Sequence, residues 1–137
     1  MGESLHPGEL PLRCRVVLFT AVVPLLVRLK LSTLERLLEP TRVAPDAEPA
    51  TVRHIVTCVE WVLRAFAPAI RQTCLTRGLT RYYFLRRAGL EVTLCFGIGP
   101  VRNDFAGHCW LTHNGEPFLE TTDPRPLFTA MYTIPRR

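Results

Sequence analysis

A chain of 137 residues, 47% apolar and 21% charged, has the size and composition of one hydrophobic core, which excludes a disordered protein. Its net charge of +5 comes mostly from arginine; with no basic–aromatic repeat or nucleic-acid motif, it reads as solvated surface and no nucleic-acid partner is expected. Five cysteines, an odd number with no CxxC spacing, exclude a disulfide framework and point to reduced thiols in a cytoplasmic setting.

Residues 1–11 hold Gly2, Pro7, Gly8 and Pro11 and read as a loose tail before a single domain over 12–137. Its first half, 12–67, is helical in pattern. The apolar run 16–27 is shorter than the roughly 20 residues needed to span a bilayer. It lacks a small-residue cleavage site, so it is read as a buried helix, kinked or broken at Pro24, with no membrane contact expected. Ser32-Thr33-Leu34-Glu35 has capping-box spacing, predicting a new helix that stops before Pro40. The proline-rich stretch 40–50 reads as an exposed linker, and 51–67 as a helix burying Ile55, Val59, Val62, Leu63 and Phe66.

The second half, 68–137, opens with a helix over 73–88. Thr73 suits its N-cap, Arg86 and Arg87 its last turn, and Gly89 the left-handed position past its end. After Gly89 the apolar period changes to two, predicting strands at 90–98, 106–112 and 117–122. The fold class is therefore α+β: N-terminal helices, then a helix packed on a small antiparallel sheet.

Chemistry concentrates in this half. Cys74 opens a helix, where first-turn amides and a neighbouring imidazolium favour the thiolate that a cysteine nucleophile needs. His108 follows in a strand and Glu120 beyond a hairpin, an order that suits nucleophile, base and orienting acid. The Cys74 amide and the Gln72 side chain are candidate oxyanion donors, and Trp110 is expected to pack beside His108 and limit water access. A two-residue Asn114-Gly115 turn pairs Cys109 with Glu120, whereas a three-residue His113-Asn114-Gly115 loop pairs His108 with Glu120 and Trp110 with Phe118. The second register is preferred here because it sets base and acid on one face. Cys14, Cys58 and Cys95 are read as core. Cys95, His108, Cys109 and His113 offer metal-ligating atoms, but adjacent strand residues point to opposite faces, so no metal or other cofactor is expected.

Cys74-Leu75-Thr76-Arg77, Leu85-Arg86-Arg87-Ala88-Gly89-Leu90, Gly97-Ile98-Gly99 and Phe105-Ala106-Gly107-His108-Cys109-Trp110 resemble the leader peptidase of lasso-peptide biosynthesis, a transglutaminase-like, papain-like cysteine peptidase. The resemblance covers residues 70–122. It implies Cys74 as nucleophile, His108 as base and Glu120 as acid in cutting a ribosomal precursor peptide through a thioester. Gly107 and Cys109 stand where the family usually has alanines, and Glu120 where it commonly has aspartate. Residues 1–50 lack the strand-rich pattern of the leader-recognition domain that some members carry. The resemblance thus implies the stand-alone protease half of a split system, served by a small winged-helix-like recognition protein and followed by an ATP-dependent macrolactam synthetase. An acyl transferase and a non-catalytic peptide-binding module are the alternatives on the same fold.

Overall fold

A computed structural model of the chain describes residues 11–41, 43–70 and 73–136. Four helices, α1 (Leu12–Leu26), α2 (Leu31–Leu38), α3 (Pro49–Ala65) and α4 (Cys74–Arg87), precede four strands. These are β1 (Thr93–Val101), β2 (Asp104–His113), β3 (Glu116–Phe118) and β4 (Thr129–Ile134), forming one antiparallel sheet in the order β3-β2-β1-β4. The α+β class expected from the change of period is the one observed.

Helix α4 is the hub. One side packs on β1 and β2 and the other on α1 and α3, so Leu79, Tyr82 and Leu85 are sealed between the two layers. Val59, Val62 and Leu63 of α3 and Val16 of α1 complete the helical side; Leu94, Leu111 and Ile134 complete the sheet side. Close approach of helix and sheet depends on Gly78, where an added Cβ would stand 2.9 Å from Cys109 Sγ and 3.2 Å from Leu94 Cδ1.

Both ends of α4 follow local chemistry. Thr73 Oγ1 accepts from the Thr76 amide at 3.1 Å, satisfying one of the orphan first-turn donors. At the other end Gly89 has φ +96°, with Gly89 N–H donating to Arg86 O and Leu90 N–H to Leu85 O, the paired bonds of a Schellman motif. The Ala44 amide reaches Arg87 O, tying the 40–50 linker to the same helix end.

Several expectations are corrected. Helix α2 begins at Leu31 with Lys30 as N-cap and no side-chain cap, so Ser32 lies inside it. Glu35, assigned to the capping box, instead accepts from Tyr132 Oη at 3.0 Å and the Arg136 amide at 2.7 Å, clasping α2 to the chain end. The 16–27 run is not a buried helix: α1 continues through Pro24 to Leu26, buries Val16, Thr20 and Val23, and leaves Leu18, Val22 and Leu25 exposed. No helix among the described residues is long and apolar enough to cross a membrane. Phe66 and Cys14 are exposed rather than core, whereas Cys58 and Cys95 are buried. The third strand ends at Phe118 instead of 122, and β4 is an addition. Residues 1–10 of the tail, together with Arg42, Gln72 and Arg71, lie outside the described residues.

The hairpin register is the correction closest to the site. Residues His113↔Glu116, Thr112↔Pro117 and Leu111↔Phe118 pair across a two-residue turn, with Asn114 at φ 53° and Gly115 at φ 81°. Two positive φ values define the type I′ geometry that Asn-Gly favours and that matches strand twist. The three-residue loop is therefore excluded, and with it the pairing of Trp110 with Phe118.

Candidate active site

Cys74, His108 and Glu120 nevertheless line one cavity of about 260 Å³, together with Glu60, Arg77, Gly78, Arg81, Cys109 and Trp110. His108 Nε2 lies 3.6 Å from Glu120 Oε2, both side chains about three-quarters buried. That separation is an ion-pair distance for a protonated imidazole and is too long for a hydrogen bond. The pair forms despite the register because the chain leaves the pleat. Leu119 adopts φ 63°, β3 ends one residue earlier, and Glu120 is aimed by this left-handed turn rather than by strand alternation.

Cys74 is the first residue of α4, where helix geometry leaves amides without i−4 acceptors pointing at the space around the side chain. It is half-buried and unbridged. Such a terminus can stabilise both a thiolate and an oxyanion. Gln72, the other candidate oxyanion donor, lies outside the described residues.

His108 is held by aromatic neighbours. Its ring stacks on Trp110 at 5.8 Å and 18°, and Phe128 closes in at 4.9 Å. Trp110 is buried, and its ring crosses Gly97 on β1, where a Cβ would meet it at 2.8 Å. This matches the expected place of Trp110 beside the histidine. Phe128 was not foreseen: it belongs to a turn after Asp123 in which the Phe128 amide donates to Pro124 O at 2.8 Å. Arg125 fastens that turn through Asp123 and Glu116, and its hydrogen bonds hold the Asp123 carboxyl below the usual range. Asp123 is thus engaged away from His108. His113, the other strand histidine, bonds Glu91 O through Nδ1 and acts as a tie for the hairpin.

Cys109, next to His108 on β2, packs its sulfur against Gly78 on α4 and also borders the cavity. Burial pushes its thiol well above the ordinary cysteine range, and nearby Cys74, Cys95 and Glu120 push the same way. A neutral packing thiol beside the candidate nucleophile follows. Glu60, Arg77 and Arg81 on the cavity wall were also missed by sequence reasoning, although Arg77 and Arg81 follow Cys74 at i+3 and i+7 on one helix face.

Residues 16–133, most of the chain, match the family model of the Transglutaminase-like superfamily. No curated protein and no solved structure gives a match. The match takes in α2, α3, α4 and strands β1 to β3, all but the outer ends of α1 and β4, and every residue of the cavity. The chain belongs to the transglutaminase-like superfamily, which includes cysteine peptidases and acyltransferases.

Proposed function

We propose that the protein is a cysteine peptidase whose nucleophile, base and orienting acid are Cys74, His108 and Glu120. The observation carrying this reading is the convergence of a helix-terminal thiol and an imidazole–carboxylate pair on one cavity. His108 takes the Cys74 proton as Sγ attacks the scissile carbonyl, then delivers it to the departing amine. Glu120 steadies the imidazolium between these steps, and the Cys74 amide faces the developing oxyanion. Water then attacks the thioester, His108 accepting its proton, and releases the carboxylate and the free thiol.

The substrate proposed is a ribosomally made lasso-peptide precursor, cut between leader and core in the cytoplasm. This finer reading rests on the resemblance across residues 70–122, and with it come a small recognition protein that presents the leader and a macrolactam synthetase that uses the freed amine. The test incubates the protein with a recognition partner and a candidate precursor and follows products by mass spectrometry. Release of a leader ending in a free carboxylate, lost in Cys74→Ala, is the expected result. A leader–amine adduct would replace hydrolysis by acyl transfer, and undiminished release by Cys74→Ala would sink the mechanism.

A further inference from the structure

The wall of the cavity along α4 carries charge that the proposed reaction does not use. Arg77 Nε and Arg81 Nη2 both bond the same oxygen of Glu60 on α3, Oε1, at 2.8 and 2.7 Å. The two guanidiniums share the Glu60 carboxylate, and Glu120, which faces His108 across the same cavity, also attracts Arg81. Arg81 keeps only 14% of its side-chain surface, and its buried Nε has no hydrogen-bond partner among the described residues. Burial lowers the Arg81 pKa from the ordinary arginine value, with Arg77 adding to the shift and the attraction of Glu60 and Glu120 working against it. A largely desolvated cation is costly to keep in a cavity wall, and an anion reaching the surface that Arg81 still exposes would offset that cost.

Position gives the visitor's identity. Along the helix axis Arg77 lies about 4.5 Å and Arg81 about 10 Å from Cys74. An extended peptide advances about 3.3 Å per residue, so side chains roughly one to three residues from the attacked carbonyl come level with the two arginines. We propose that Arg77 and Arg81 form a specificity subsite of the Cys74 cavity that receives the carboxylate of an Asp or Glu close to the scissile bond. Glu60 orients both guanidiniums and competes with the incoming carboxylate. This subsite rests on the peptidase reading of the cavity.

The test uses synthetic peptides built around a central epoxysuccinyl electrophile, which carries residues on both sides. Glu and Gln versions are compared at each of the three flanking positions, with Cys74 alkylation followed by mass spectrometry. At one position the Glu version is expected to label Cys74 about tenfold faster, the effect of one charge-assisted hydrogen bond. The Glu-over-Gln ratio should fall toward one in Arg81→Gln and in the more exposed Arg77→Gln, and rise in Glu60→Gln. A merely structural role at the α3–α4 joint shifts both probes alike and leaves the ratio unmoved, which would overturn the subsite. Equal labelling by all Glu and Gln pairs, with Cys74 still faster than Cys14, overturns the subsite alone. Labelling of Cys74 no faster than Cys14 by every probe removes the peptidase reading as well.

Discussion

The two walls of the cavity are built by opposite means. Cys74 sits on a regular helix with a side-chain cap at one end, a Schellman motif at the other and a core face between. Glu120 sits two residues past the end of a three-residue strand, aimed by Leu119 in the left-handed region. The helix wall fixes its functional group through many weak, repeated interactions. The opposite wall relies on one backbone conformation, and pleat parity carries no information about it. A catalytic group on a regular element is thus robust to its neighbours, and one on a turn is exposed to single substitutions.

The largest effect should come from the helix wall: Cys74→Ala is expected to lower precursor cleavage by at least about 10³-fold, read as product formed per hour. Across the cavity, Glu120→Gln should cost about 10²-fold in kcat with little change in KM, because it acts on the imidazolium and not on substrate binding. A cost as large as that of Cys74→Ala would make the two walls equal partners. Gly78→Ala pushes a methyl toward Cys109 Sγ and Leu94, and should destabilise the fold by about 1–3 kcal/mol in denaturant unfolding as α4 lifts from the sheet. Unchanged stability there would show that the helix–sheet contact has slack. Thr73→Ala removes the cap and should cost about 1 kcal/mol. Smallest of all, Leu119→Asn keeps a residue that tolerates φ 63° and should alter stability by less than about 1 kcal/mol. A large loss of turnover in that variant would mean that the Leu119 side chain, and not its backbone, sets Glu120.

The same contrast explains what could be read in advance. The 3.6-residue period, Thr73 and Gly89 announce α4 within the sequence itself, and the observed caps use those residues. At the hairpin two signals conflict: facing His108 to Glu120 calls for a three-residue loop, whereas Asn114-Gly115 favours a type I′ turn. The turn chemistry prevailed, and Leu119 restored the contact by a route no periodicity reveals. Strand β4 went unread because its pairing with β1 is long-range and its register shifts between Phe96 and Gly97. Glu60 could not be linked to Arg77 and Arg81 from spacing, since that contact exists only once α3 has packed on α4.

The tight Asn114-Gly115 turn also bears on the order in which the site assembles. A two-residue hairpin closes from near neighbours in the chain, on a scale of about 1–10 μs in isolated hairpins, without waiting for distant partners. His108 and Glu120 are therefore expected to meet early in folding, whereas Cys74 arrives only when α4 docks on the finished sheet, a contact of much greater sequence separation. A chain still emerging or only partly folded would hold its imidazole–carboxylate pair but no nucleophile beside it. A site completed this late would leave the thiol without its imidazole–carboxylate neighbours until the fold is whole.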